Sequence, residues 1–220
     1  MKIVFFGAVK FYAAVLQHLL RRGDSVVGVC AGPASFGNAD FADLMPIALA
    51  AGIPARKIED ANHPDTLAWI GTLRPDVIFC FGWSRLIRRP LLELAPLGVI
   101  GFHPSLLPAN RGRHPLIWAL VCGLAETGST FFFMDEGVDS GDILSQERVV
   151  ISKDETAGTL YEKVVKTALR QIDGWIPALA AGVHTRRPQA AALGNLWRKR
   201  TERDGEIDWR MTEELSLIHI

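Results

Sequence analysis

Val77-Ile-Phe-Cys-Phe81 is an unbroken apolar run, rich in β-branched and aromatic residues and too short for a helix. A strand of this kind is buried on both faces, which is the situation in a parallel sheet covered by helices. The same pattern recurs on either side of it. Toward the N-terminus, residues 2–6, 25–30 and 54–58 read as strands, and toward the C-terminus residues 97–102 do. Between them lie three segments that read as helices. Residues 11–20 place Phe11, Val15, Leu16, Leu19 and Leu20 at helical spacing, with Gly23 as the C-terminal stop. Residues 41–51 end at Gly52, and residues 64–73 stop before Pro75. Strand and helix in alternation predict βαβ units, hence an α/β fold with a mostly parallel sheet and helices on both faces.

After Phe102 the rhythm changes. Residues 114–122 read as a helix, and residues 129–134 and 142–151 as two further strands. Ser152-Lys-Asp-Glu155 has the form of a capping box and predicts a long helix to about Ala181. From Gly182 onward the chain is irregular and polar, with basic clusters at Arg186-Arg187 and Arg198-Lys-Arg200 that read as solvated surface. Trp118, Trp197 and Trp209 read as packing residues.

The 220 residues carry 24 Lys+Arg against 24 Asp+Glu, so no general field steers a polyanion toward the chain. Cys30, Cys80 and Cys122 are widely spaced and form no CxxC pair, which argues against a zinc knuckle and for core thiols in a reducing compartment. No apolar run approaches the roughly 20 residues of a membrane span. The expectation is a cytoplasmic protein without a metal. Gly7-Ala-Val-Lys-Phe-Tyr12 follows the first strand but lacks the GxGxxG spacing, so a dinucleotide is not expected.

Residues 98–118 read G-V-I-G-F-H-P-S-L-L-P-A-N-R-G-R-H-P-L-I-W. A buried strand runs directly into a Pro/Gly-rich loop, at the strand end where open α/β sheets place ligands. His103 stands at that junction. Farther on, Met134-Asp-Glu-Gly-Val-Asp-Ser-Gly-Asp142 forms a turn with Asp139 at its centre. A His at a strand end and an Asp on a neighbouring turn suit general acid/base work, the carboxylate orienting the ring and favouring its cationic form. Taken singly, each has a plainer reading, a structural His and a turn-forming Asp.

These pieces together resemble the folate-dependent formyltransferases, which include methionyl-tRNA, glycinamide ribonucleotide and sugar N-formyltransferases. The matching residues are His103-Pro-Ser-Leu-Leu-Pro108, Arg111-Gly112, Glu126-Thr-Gly128, Asp135 to Asp142, Gly82 to Ile87 and Asp204 to Trp209. The resemblance implies a Rossmann-like fold, a catalytic domain over residues 1–182, and a C-terminal extension over 183–220 that is truncated. It implies 10-formyltetrahydrofolate as donor, His103 as the acid/base, and Asp139 as the residue that tunes it and holds a water. It also implies a pterin pocket lined by backbone at Arg85, Leu86 and Ile87 and at Val138, Ser140 and Gly141.

One position departs from the family pattern. Where the family carries an Asn that polarises the formyl oxygen, this chain has Gly101. Asn110 and His114, in the same loop, are the nearest polar substitutes, although their plainer readings are a turn residue and a helix cap. Among acceptors, the glycinamide ribonucleotide enzymes' phosphate loop is missing after the first strand, and residues 31–40 contain no Lys or Arg of the kind a tRNA enzyme carries. The expected acceptor is therefore the amine of a nucleotide-linked sugar, with the folate donor as the other small-molecule partner. A tRNA enzyme lacking its C-terminal domain, a folate-binding module without catalysis, and a formyl hydrolase stay open, as does the oligomeric state.

Overall fold

The computed structural model describes residues 1–33, 40–81, 83, 86–206 and 209–210, apart from the side chain of Ala191. In chain order the strands are β1 (Lys2–Gly7), β2 (Ser25–Ala31), β3 (Ala55–Lys57), β4 (Val77–Cys80), β5 (Val99–His103), β6 (Arg111–Gly112), β7 (Glu126–Phe133), β8 (Ile143–Val150) and β9 (Leu196–Trp197). Seven of them form one sheet in the order β3-β2-β1-β4-β5-β7-β8, while β6 and β9 pair separately. Pairings from β3 to β5 are parallel, and β5–β7 and β7–β8 are antiparallel. The mostly parallel sheet expected from the apolar runs is present. It turns antiparallel where the sequence rhythm changes.

The helices are α1 (Lys10–Arg22), α2 (Met45–Ala50), α3 (Pro64–Leu73), α4 (Arg89–Leu92), α5 (Pro115–Val121) and α6 (Ala157–Ala180). They cover both faces. On one face, Phe11, Val15, Leu16 and Leu19 of α1 and Ile172, Ile176 and Leu179 of α6 pack with Phe5, Phe79 and Phe131. On the other, Ile70 of α3 and Leu91 of α4 pack with Val4, Ile78 and Val99. Fully burying each such aliphatic or aromatic side chain is worth about 1.5–3 kcal/mol, so these two layers dominate the stability of the sheet. Helix α1 ends as its sequence implies. Gly23 takes φ 80°, and the next amide, of Asp24, donates back to the Leu19 carbonyl at 3.0 Å.

Four expectations need correction. The second helix starts at Met45, not Phe41. Residues 40–42 are held instead by the loop after β1, with Lys10 N–H on the Asp40 carbonyl at 2.9 Å and Ala42 N–H on the Ala8 carbonyl at 3.0 Å. The long helix is capped by Thr156 with Thr159. Glu155 does accept the Ser152 amide at 3.2 Å, but its carboxylate is drawn to Lys163 and the box forms four residues later, from Thr156 to Thr159. Cys30 and Cys80 are buried, and burial pushes both thiols up, but Cys122 at the end of α5 is exposed. Trp118 and Trp197 pack with ring centroids 6.3 Å apart, whereas Trp209 is 86% exposed. Among the described residues, no helix is long and apolar enough to cross a membrane.

The described residues after Gly182 are irregular but tied to the rest of the fold. Arg187 and Ile143 exchange both backbone hydrogen bonds, at 2.8 and 2.9 Å. The Arg186 guanidinium lies over the Phe133 ring, 3.6 Å from its centre. Farther along, β9 pairs with β6 in parallel, matching Arg111 to Leu196 and Gly112 to Trp197.

Candidate active site

A cavity of about 720 Å³ is lined by residues at the C-terminal ends of several parallel strands. Ala8 and Val9 follow β1, Gly32 follows β2, and Trp83 follows β4. The chain moves outward from β1 to β2 on one side and returns to β4 on the other, which is the topological switch where α/β sheets open a crevice. From there the cavity reaches Gly101, Phe102 and His103 on β5 and Asp139 on the turn between β7 and β8.

His103 is the last residue of β5 and is 5% exposed. Its Nε2 lies 2.8 Å from the Asn110 carbonyl oxygen, and because a carbonyl only accepts, this nitrogen carries the hydrogen. Its Nδ1 lies 3.5 Å from Asp139 Oδ2. The ring is thus held between two oxygen acceptors. Asp139 adopts φ 50°, a left-handed conformation that Asp tolerates better than most residues. Its Oδ2 also accepts the Gly112 amide at 2.9 Å. Gly112 has φ 100°, and a β-carbon there would stand 2.3 Å from the Trp197 carbonyl oxygen. Only glycine lets the loop, β9 and the Asp139 carboxylate come together at this point.

The loop from His103 to Gly112 has carbonyls in excess, because its prolines donate nothing. Side chains of the antiparallel strands supply the donors. Thr127 Oγ1 donates to the Pro104 carbonyl at 3.0 Å, Thr130 Oγ1 to Ser105 at 2.6 Å, and Gln146 Nε2 to Leu107 at 2.9 Å. The peptide between Leu107 and Pro108 is cis. Strands β7 and β8 therefore give the loop its shape as well as extending the sheet.

Gly101 pairs with Phe132 across β5 and β7. A β-carbon at Gly101 would meet the Phe132 ring at 2.8 Å and Met134 Cγ at 2.9 Å. The space beside Gly101 is thus filled with apolar atoms. The two polar residues expected nearby differ in placement. The Asn110 side chain faces Asn195, its Oδ1 accepting from Asn195 Nδ2 at 3.1 Å, and Asn110 is not among the residues lining the cavity. Asn110 acts on the site through its carbonyl. The His114 ring does line the cavity. Its Nδ1 accepts the Arg200 amide at 3.3 Å, which leaves Nε2 as the N–H donor. Burial, then the charges of Arg113, Lys199 and Arg200, hold this imidazole below its ordinary pKa.

Of the residues implied for a pterin pocket, Arg85 lies outside the described residues. Leu86, Ile87, Val138, Ser140 and Gly141 do not line the large cavity. Leu86 and Val138 are exposed, and Ile87 is buried. Ile87 of the first loop and Met134, just before the second, pack in the same apolar cluster. Arg89, next to the first loop, is held above its ordinary pKa by its hydrogen bond to Glu93, by the Glu93 charge and then by Glu136 of the turn. Asn62 fixes the first loop, donating to the Leu86 carbonyl at 3.0 Å and accepting the Arg88 amide at 2.7 Å. Ser140 donates to Asp135 at 2.7 Å and shapes the second. Apolar side chains beside fixed peptide groups are the lining a flat heterocycle needs, and on this ground the residues fit a pterin.

Several site residues were not singled out by their sequence. Tyr161 lines the cavity, accepts the Phe11 amide at 2.8 Å and donates to Asp40 at 3.0 Å. Burial pushes the Asp40 carboxyl up, against the pull of Tyr161 and Lys10. Arg113 and Lys199 bring positive charge to the opposite part of the lining. Gln189 and Asn195 reach the site from beyond residue 182. Lys199 belongs to the basic cluster at Arg198-Lys-Arg200, which read as solvated surface; the others carry no motif, and only contact across long sequence separations reveals them.

Comparison with known proteins converges on one family. The model described as formyl transferase matches residues 1–172. The fold is shared with WlaRD, described as a sugar 3N-formyl transferase in the presence of dTDP and 5-N-formyl-THF, at 19% identity and a TM-score of 0.75, covering 100% of this chain and 78% of that one. It is shared with an N-formyltransferase from Helicobacter canadensis in complex with folinic acid and dTDP-3-aminofucose, at 19% identity and 0.74, covering 100% and 79%. It is shared also with glycinamide ribonucleotide transformylase 1 from Symbiobacterium toebii, at 25% identity and 0.72, covering 86% and 93%.

Proposed function

The chain belongs to the formyl transferase family, and from that premise we propose that it carries a formyl group from 10-formyltetrahydrofolate to the primary amine of a nucleotide-linked amino sugar. The observation that carries the reading is His103, held at the wall of the cavity with an oxygen acceptor at each ring nitrogen. The folate supplies the activated formyl group. The incoming amine nitrogen bonds to the formyl carbon, and the carbonyl oxygen takes the electron pair. As the pair returns from oxygen and the bond between the formyl carbon and the folate nitrogen breaks, His103 Nδ1 gives a proton to that departing nitrogen while Nε2–H stays on the Asn110 carbonyl. The proton shed by the new amide nitrogen restores it. Asp139 keeps the ring oriented throughout.

The His114 Nε2–H is the donor we place at the formyl oxygen, the task an Asn at position 101 performs in the family. Support for a sugar acceptor comes from the two sugar enzymes described above, from the absence of Lys and Arg in residues 31–40, and from Arg113 and Lys199 on the cavity wall, which suit a diphosphate. Free thiols at Cys30 and Cys80 suit a cytoplasmic setting.

The test is an acceptor screen by mass spectrometry with 10-formyltetrahydrofolate and dTDP- or UDP-linked amino sugars, with methionyl-tRNA alongside. A gain of one formyl group on a sugar is expected. His103→Ala should lower the rate by about 10²–10⁴. Formylation of the tRNA alone overturns the sugar reading. Formate release without any acceptor identifies a hydrolase, and folate binding without turnover identifies a binding module.

A further inference from the structure

Each of the two residues whose oxygens hold the His103 ring is itself held, at other atoms, by a side-chain amide from residues 183–200. Asp139 is held by Gln189. Gln189 Nε2 donates to the Asp139 carbonyl at 2.9 Å and to the Gly141 carbonyl at 2.7 Å. Its Oε1 accepts Arg111 Nη2 at 2.7 Å and Nε at 3.2 Å. Arg111 immediately precedes Gly112, whose amide binds the Asp139 carboxylate. One amide group therefore ties the backbone of the Asp139 turn to the side chain of Arg111, the residue before Gly112. Asn110 is held by Asn195. Its amide donates to Asn195 Oδ1 at 2.6 Å, and Asn195 Nδ2 returns a bond to Asn110 Oδ1 at 3.1 Å. The backbone continues the contact, with Arg111 N–H on the Asn195 carbonyl at 3.1 Å and Arg113 N–H on Trp197 at 3.0 Å.

We propose that Gln189 and Asn195 are positioning residues for the acid/base, setting the Asp139 carboxylate and the Asn110 carbonyl at the two nitrogens of His103. This rests on the formyl-transfer reading for its kinetic test, and it makes residues 183–200 part of the catalytic unit. The physical reason is that both holders of the ring lie on irregular backbone. Asp139 sits on a turn at φ 50° and Asn110 on a loop at φ 62°. No helix or strand fixes either one, so their placement has to come from side-chain hydrogen bonds. A 1 Å error in such a placement costs on the order of 10²-fold in rate.

The experiment is a double-mutant cycle on the full chain. Gln189→Met removes all four bonds at nearly constant length. Gln189→Glu keeps the acceptors for Arg111 and removes the donors to Asp139 and Gly141. Asp139→Asn removes the carboxylate that Gln189 is proposed to serve. We expect Gln189→Met and Gln189→Glu each to lower kcat/KM by about tenfold or more, mainly through kcat. The pH profile of kcat/KM should move in the same direction as in Asp139→Asn, by less. In the Asp139→Asn background the Gln189 substitutions should cost little more, because coupled residues are not additive. Asn195→Ala should lower kcat in the same way but add to Asp139→Asn, since it acts on the other nitrogen. Additive losses for Gln189 and Asp139, or an unmoved pH profile, would overturn the proposal and leave Gln189 a stability residue. A second measurement needs no substrate. The ring 15N shifts of His103 should respond to Gln189→Met in the direction they respond to Asp139→Asn. If the wild type transfers formyl to no amine, the functional reading fails while this spectral comparison still decides the positioning role. Ring shifts identical to wild type would refute it.

Discussion

The tip of the Phe132 ring stands 2.8 Å from the point a β-carbon at Gly101 would occupy. The two residues face each other across β5 and β7, and the ring is buried with Leu107, Ile143 and Met134. An asparagine at position 101 therefore has no room for its side chain while Phe132 stays where it is. Gly101→Asn should destabilise the protein by about 1–3 kcal/mol, the usual range for overpacking a core. It should also slow formyl transfer, because the displaced ring pushes on β5 just before His103. Combining it with Phe132→Ala should recover stability relative to Gly101→Asn alone. Chemical denaturation of the four proteins checks this. A Gly101→Asn variant as stable as wild type would show that the ring yields freely.

His114 and Asn110 separate in a way their shared loop does not suggest. His114→Ala should lower kcat by about 10²–10³, the cost of one lost donor to a developing oxyanion. Asn110→Ala removes only the pair with Asn195 and leaves the carbonyl in place, so its effect should be smaller. The His114 ring works as a neutral donor and its pKa is lowered, first by burial. Protonation keeps the Nε2–H, so the donor to the formyl oxygen should survive a fall in pH, and what is lost as pH drops through the lowered value is the Nδ1 acceptor that holds the Arg200 amide. Equal losses for both variants would remove His114 from the oxyanion role.

Glu155 gives a pH prediction for stability. The hydrogen bond from Lys163, then that from Thr159, holds its carboxyl down at about 2. A folded-state pKa below the unfolded one means that its stabilisation is complete above the ordinary glutamate range. It is lost as pH falls from that range to about 2. Wild type should therefore unfold at a higher temperature than Glu155→Gln near neutral pH, and the two curves should converge toward pH 2. A gap that survives at pH 2 would assign the effect to packing instead of charge.

The fold was largely legible because buried parallel strands leave a dense record. Val77 to Phe81 and Lys2 to Phe6 admit few other readings. His103 and Asp139 were legible as a pair because both sit at punctuated strand ends. What stayed hidden depends on register or on distance along the chain. That Phe132 fills the space beside Gly101 follows only once β7 is known to run antiparallel to β5 with Gly101 opposite Phe132. Gln189 lies in a polar segment without periodicity, far in sequence from the turn it holds. Helix α4 has four residues, too few to display a period. The start of α2 was misplaced because the backbone of residues 40–42 is committed to the loop after β1, a tertiary demand that outweighs local helical spacing.

The apolar layers on both faces of the sheet end with Leu179. The described residues after Gly182 are attached by hydrogen bonds, a short strand pair and a few ring contacts. Segments held in this way open at lower free energy than the core beneath them. Heat should then act on the molecule in two stages. The amides of Gln189 and Asn195 let go first, and inactivation sets in while the sheet, its helices and its circular dichroism are still those of the native protein.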